Sequence, residues 1–227
     1  MNLERLMQDA PASFHAWGTL NAYPRDPLRY IEVLDSVQGM TTPSTMHLLN
    51  CAVSYLEGEE AYLEVGTWRG ATLIGALLGN RAHGYAIDNE VMTEHNKDEK
   101  SSRGVWEENI GRFGLTERSH YITGSVPAIF SSLSLPPVGV YLFDGDKSTA
   151  RSAYDALVGA VPLLAKYAAI FIDDANTPQI REAAFVFCHR YPKAVKLLDL
   201  PTPANCWPSF WNGLIVLGWG VSVEVEI

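Results

Sequence analysis

The chain has 227 residues, 47% of them hydrophobic, and a formal net charge of −9. That supplies one substantial α/β core, while two independent domains would be cramped. The acidic balance, without a basic stripe, argues against a nucleic-acid partner, whose binding draws on clustered Lys and Arg. Cys51, Cys188 and Cys206 are widely spaced with no CxxC pair, which argues against structural zinc and a disulfide framework. The first residues lack a signal-peptide pattern and no apolar run reaches membrane-spanning length, so the expected setting is a reducing cytoplasm with no membrane partner.

Residues 1–25 mix Pro, Gly, His and aromatic residues without a period. They read as an N-terminal arm or lid whose Phe14, Trp17 and Tyr23 dock on the body, the alternative being that one or more line a substrate pocket. Leu28, Ile31 and Leu34 recur at helical spacing and predict a helix over 26–37. Thr41-Thr42-Pro43-Ser44 breaks the chain and caps a second helix running to about residue 56, in which His47 reads as a partly buried polar residue. Residues 1–40 are thus an expected docking segment, and residues 41–227 the main domain.

Tyr62-Leu63-Glu64-Val65-Gly66-Thr67-Trp68-Arg69-Gly70-Ala71-Thr72 then reads as strand, tight turn and helix. Glycine at such a turn lets a ligand approach the backbone where a side chain would block it. The helix start offers free N–H groups to electron-rich atoms. A second apolar run, 83–87, ends in Asp88, 18 residues beyond Gly70. An acid there is placed to accept from ribose hydroxyls. Alone, each feature also reads as a plain turn or a solvated strand end; together they predict a nucleoside-containing cofactor.

Residues 89–103 are polar and charge-rich, and are expected as a loop or lid over the strand ends. A helix over 104–113 and a strand at 119–122 with the turn Thr123-Gly124-Ser125-Val126 follow. A fourth strand, 138–143, runs into Asp144-Gly145-Asp146-Lys147. After a long helix (148–165), a fifth strand (168–172) ends in Asp173-Asp174. Helix 178–190, strand 194–199, a Pro- and Trp-rich loop (201–212) and a strand at 214–217 complete the chain. Strands alternating with helices predict a doubly wound, mostly parallel sheet with ligands at the carboxyl ends of its strands. Adjacent fourth and fifth strands would bring Asp144, Asp146, Lys147, Asp173 and Asp174 together. Such a cluster leaves room for a divalent cation, and all-oxygen ligation suits Mg²⁺, Ca²⁺ or Mn²⁺. The alternative is an ion-pair cluster with no metal.

Glu64-x-Gly66-x-x-x-Gly70-x-Thr72, the acid Asp88, Gly124-Ser125 and Asp144 resemble the motifs of a class I S-adenosylmethionine-dependent methyltransferase over roughly residues 40–218. More narrowly, Phe143-Asp144-Gly145-Asp146-Lys147 with Ile172-Asp173-Asp174 is similar to the metal-dependent O-methyltransferases of the catechol and caffeoyl-CoA type. It also resembles the small bacterial methyltransferases that tailor natural-product sugars. The resemblance implies a Rossmann-like sheet of seven strands, the last antiparallel, with helices on both faces. It implies S-adenosylmethionine held by Glu64, Gly66, Thr67, Gly70, Thr72, Asp88 at the ribose, Gly124, Ser125 near the adenine, and Asp144. It further implies Mg²⁺ on Asp144, Asp173 and Asp174, and Lys147 and Asp144 as catalytic residues, the lysine taking the proton of a small-molecule hydroxyl.

The chain departs from these relatives in places. Asp174 stands where the catechol type has Asn, Lys147 stands where the natural-product relatives usually carry His, and Asp199 is the nearest counterpart to the acid that holds a second catechol hydroxyl. Trp207, Phe210 and Trp211 are expected either as an aromatic wall over the acceptor or as ordinary packing or a dimer contact, and a homodimer is the default assembly. Three other readings share some motifs. One is an NAD(P)-dependent oxidoreductase, although Gly66 and Gly70 do not make GxGxxG. The others are a non-catalytic adenosyl-cofactor-binding protein of the same fold and a relative redirected to another chemistry such as hydroxylation.

Overall fold

The computed structural model of the chain describes residues 1–91 and 101–221. Its centre is a seven-stranded sheet built from β3 (Ala61–Val65), β4 (Gly84–Asp88), β5 (Ser119–Thr123), β6 (Val138–Phe143), β7 (Leu164–Asp173), β8 (Ala194–Leu200) and β9 (Leu214–Trp219). The order across the sheet is β5-β4-β3-β6-β7-β9-β8. The first five run parallel, and β9 lies antiparallel between β7 and β8. The chain therefore leaves β3 toward β4 on one side and returns to β6 on the other. That reversal opens a crevice at the carboxyl ends of β3, β4 and β6.

Successive strand residues point to opposite faces, and both faces are covered, as a mostly parallel sheet requires. Tyr62, Val140, Leu142, Phe171 and Val216 pack under α3 (Pro43–Ser54), α4 (Ala71–Leu77) and α5 (Ser102–Arg112). Their neighbours Leu63, Val65, Tyr141, Phe143, Ile170 and Ile172 pack under α6 (Ala150–Ala160) and α7 (Pro178–Arg190). Thr42 caps α3 by accepting from Thr45 N, with Pro43 at the first helical position, where its missing N–H costs nothing. The long helix expected over 148–165 is shorter. Val161–Leu163 tightens into a 3₁₀ turn containing Pro162, and β7 begins at Leu164.

The N-terminal segment is more regular than its composition suggests. It forms α1 (Leu3–Asp9), a two-stranded ribbon of β1 (Phe14–His15) and β2 (Tyr23–Pro24), and α2 (Leu28–Ser36). Asn2 caps α1 through Arg5 N. Met1, Leu6 and Phe14 are buried in the core they share with α3. His47 is buried, with Nδ1 against Tyr30 Oη at 3.0 Å and Nε2 against Ser13 Oγ at 2.9 Å. Burial, and then the Arg29 charge, push its pKa down to about 4. The three cysteines are free thiols. Among the described residues no helix is long and apolar enough to cross a membrane. Most of the lid expected over 89–103 lies at residues 92–100, outside the described residues.

Candidate active site

Strand ends define one cavity of about 560 Å³, within the range of small-molecule sites, roughly 300–1,000 Å³. Its lining follows the strand order, from Gly124 and Ser125 after β5, through Asp88 after β4 and Gly66 after β3, to Asp144 and Lys147 after β6 and Asp173 and Asp174 after β7. Register accounts for the meeting: Val65 pairs with Phe143 and Phe143 with Ile172, so the next residues, Gly66, Asp144 and Asp173, leave the sheet side by side.

The turn after β3 is held from two sides. Gly66 has φ +85°, and a Cβ there would stand 2.1 Å from the Asp144 carbonyl oxygen. Gly70 has φ +86°, and its Cβ would meet the Trp106 ring at 2.9 Å. Both glycines are therefore required by the protein's own packing; the close approach comes from Asp144 and Trp106. Gly66→Ala is expected to cost more than the ~1–3 kcal/mol of a strained backbone position, measured by urea unfolding. A loss below ~1 kcal/mol would mean the β3 and β6 ends can part freely.

Beneath the turn, Trp106 Nε1 donates to Thr67 Oγ1 at 3.2 Å, Thr67 donates to Glu64, and Tyr62 Oη donates to Glu64 at 2.5 Å. Glu64 is 1% exposed. Burial pushes its pKa up to about 8, against the pull of the two hydroxyls. Glu64, Thr67, Gly70 and Thr72 are not among the cavity-lining residues; the first three shape the turn from below. Above it, Asp88 accepts from Trp68 N at 2.8 Å and from Glu90 N at 2.7 Å. Both of those residues have positive φ, so Asp88 stabilises two unfavourable turns and presents its carboxylate to the cavity.

At the other end, carboxylate oxygens of Asp144, Asp173 and Asp174 all lie within 4.8 Å of one another. Lys147 Nζ donates to Asp144 and Asp174 and stands 3.7 Å from Asp173 Oδ2. Burial raises the pKa of Asp144 and of Asp173. Burial by itself would lower the Lys147 pKa, but the charges of Asp144, Asp173 and Asp174 reverse that and hold the ammonium well above its usual range. The three carboxylates offer an all-oxygen donor set that suits a hard divalent cation. Asp146 is not one of the three; it is exposed and accepts from Ser148 N at 2.9 Å ahead of α6.

Asp199 does not join the site. Arg181 grips it through two 3.0 Å bonds and Lys196 through a third at 3.1 Å, and the Arg181 hydrogen bonds hold its pKa down. Of the three aromatic residues in the 201–212 loop, only Trp211 lines the cavity, joined by Met40 and Trp68. Phe210 is buried against Phe14, with centroids 6.2 Å apart, and Trp207 donates to Leu20 O at 2.7 Å. Met40, Trp68 and the backbone role of Asp88 escaped the sequence reading. The positive φ of Trp68 and Trp211 (46° and 52°) leaves no mark in composition or periodicity.

Residues 63–175 match the family model described as a methyltransferase domain. Over these residues the chain is an S-adenosylmethionine-dependent methyltransferase domain. Comparison of its sequence with curated proteins finds no match, whereas solved structures share the fold at low identity. The O-methyltransferase of Bacillus cereus, in complex with SAH, is 15% identical with a TM-score of 0.58, over 96% of this chain and 90% of that one. The O-methyltransferase TomG of Streptomyces achromogenes, involved in tomaymycin synthesis and in complex with SAM, is 14% identical with a TM-score of 0.62, over 98% and 100%. The C-terminal domain of precorrin-6Y C5,15-methyltransferase from Rhodobacter capsulatus is 17% identical with a TM-score of 0.51, over 80% and 90%. For this methyltransferase the oxidoreductase alternative is set aside.

Proposed function

We propose that the chain transfers the methyl group of S-adenosylmethionine to a hydroxyl of a small molecule, with a divalent cation such as Mg²⁺ on Asp144, Asp173 and Asp174. The observation that carries this reading is the convergence of those carboxylates with Lys147 at one end of the cavity. Gly124, Ser125 and Asp88 line the cavity on the far side of β3, and Gly66 lies between the two groups. Asp88 would accept from the ribose, and Glu64, Thr67, Gly70 and Thr72 would keep the turn in shape. The acidic surface balance fits a small-molecule acceptor better than a nucleic acid.

Methyl transfer from a sulfonium is an in-line displacement: the acceptor oxygen forms a bond to the methyl carbon while the bond to sulfur breaks and leaves a neutral thioether. Positioning and electrostatics supply most of the acceleration in such a step. A bound divalent cation would lower the pKa of the acceptor hydroxyl. Lys147 keeps its proton while three carboxylates face it. A cation held by those carboxylates would offset their charge, and burial would then favour the free amine of Lys147 as acceptor of the hydroxyl proton.

Calorimetry with S-adenosylmethionine and S-adenosylhomocysteine, followed by transfer of a labelled methyl group to a panel of phenols, sugars and enols with Mg²⁺ or EDTA, tests the reading. Asp88→Ala is expected to abolish micromolar cofactor binding, because it removes both the ribose acceptor and the anchor of the Trp68 and Glu90 amides. Wild-type affinity in that variant would remove Asp88 from the cofactor site. A product methylated at nitrogen or carbon, or transfer indifferent to EDTA, would sink the metal-assisted O-methylation.

A further inference from the structure

The loop that carries Trp211 is tied to the turn that carries Asp173 and Asp174, and the Asn176 side chain makes the side-chain part of that tie. Asn176 Nδ2 donates to Thr202 O at 2.7 Å and to Thr202 Oγ1 at 2.9 Å, and Asn176 Oδ1 accepts from Thr202 N at 3.2 Å. Three of the four hydrogen bonds a primary amide can make are thus spent on a single residue. Thr202 is 8% exposed, and its Oγ1 stands 3.1 Å from both Trp211 O and Ala204 O, which share its one proton. The backbone repeats the connection, with Ala175 N donating to Gly213 O at 3.0 Å and Asn176 N to Asn212 O at 2.9 Å. Gly213 has φ +83°, and a Cβ there would stand 2.6 Å from Asn176 Oδ1, so the two segments meet with no room to slide.

Both ends of this clamp are held in unfavourable conformations. Asp174 has φ 55° and Trp211 has φ 52°. Residues other than glycine persist there only when their surroundings over-determine them. Trp207 and Trp211 exchange backbone hydrogen bonds of 2.9 and 3.1 Å, which closes the loop behind Trp211. Asn176 and Thr202 do not line the cavity, whereas Trp211 and Asp174 do.

We propose that Asn176 is a positioning residue: through Thr202 it fixes Trp211 relative to the Asp173–Asp174 turn, setting the carboxylates and the adjoining cavity wall as one unit. The inference rests on the reading of that end as the cation and acceptor end. Outer-shell partners of metal-binding carboxylates typically change affinity by about 10–100-fold when removed.

The test uses the full chain and Mn²⁺ as the probe, in wild type, Asn176→Ala, Thr202→Val and Thr202→Ser. Measurements are made at a temperature where every variant is folded by circular dichroism. Electron paramagnetic resonance reads Mn²⁺ affinity. Acrylamide quenching, taken as the difference from the matching Trp211→Phe background, reads the exposure of Trp211. Asn176→Ala is expected to weaken Mn²⁺ by about tenfold or more and to expose Trp211. Thr202→Val is expected to expose Trp211, Thr202→Ser to match wild type, and S-adenosylmethionine affinity to stay unchanged throughout. Lower melting temperatures with unaltered Mn²⁺ affinity and unaltered Trp211 quenching would overturn the proposal, leaving Asn176 a structural residue only. If wild type itself binds no Mn²⁺, the cation reading above fails, and Trp211 quenching in Asn176→Ala and Thr202→Val decides the clamp by itself.

Discussion

Lys147→Met is expected to slow methyl transfer by about 10²–10⁴-fold, the usual contribution of a positioned acid–base group. It also removes the ammonium that faces all three carboxylates. Lys147 is largely buried, its side chain 16% exposed. Removing one partner of a buried charge pair typically costs about 3–5 kcal/mol because the other charge is left uncompensated. The variant should therefore melt well below wild type in EDTA. Millimolar Mg²⁺ or Mn²⁺ should then raise its melting temperature by more than it raises wild type's, since cation and ammonium compete for the same oxygens. A variant that keeps wild-type turnover would eliminate Lys147 as the base. Equal cation-induced shifts in the two proteins would eliminate the competition.

The second large effect is at Glu64. Its folded pKa is raised from 4.5 to about 8, chiefly by burial, so the folded protein binds this proton more tightly than the unfolded chain does. The resulting stabilisation is complete below the unfolded value and fades as pH rises through about 8, then stays constant. The whole span amounts to about 5 kcal/mol as an order of magnitude. Glu64→Gln keeps a neutral side chain of the same size that can still accept from Tyr62. Its stability relative to wild type should therefore grow by several kcal/mol between roughly pH 5 and 9, read by urea unfolding at a series of pH values. The raised carboxyls of Asp144 and Asp173 titrate with the same sign in both proteins and cancel in the comparison. A gap between the two proteins that does not change with pH would show that Glu64 folds with its charge.

Much of the architecture could be seen in the sequence because it depends on local pattern. Apolar runs ending in Asp88, Asp144 and Asp173 mark strands whose carboxyl ends face one crevice, and the β3 turn glycines mark the reversal between β3 and α4. The convergence of Asp144, Asp173 and Asp174 followed from placing their strands side by side, and the register bears that out. Where the reading and the structure part, the cause is a side-chain partner that neither hydrophobic period nor turn chemistry marks. Asp199 looked free until Arg181 and Lys196 took it. Of the two roles open to the loop's rings, Phe210 and Trp207 took packing, against Phe14 and Leu20, while Trp211 reached the cavity. Glu64 looked like a cofactor ligand, yet it lies beneath the turn with Tyr62 and Thr67.

The sequence by itself determined the alternation of strands and helices and the end of the sheet that carries chemistry. It also determined the residue types assembled there, because hydrophobic period and turn chemistry act within a few residues. Only the tertiary structure decided which side chain faces which. It set Lys147 among three carboxylates, Asp88 under the amides of Trp68 and Glu90, and Asn176 between the Asp173–Asp174 turn and the Trp211 loop. Asp88–Trp68, Lys147–Asp174 and Asn176–Thr202 join residues 20, 27 and 26 positions apart, whereas Asp88–Glu90 and Lys147–Asp144 are local. They depend on strand order and on burial; burial also keeps Glu64 protonated, while the three facing carboxylates keep Lys147 protonated against it. A local pattern cannot encode which distant charge will compensate it.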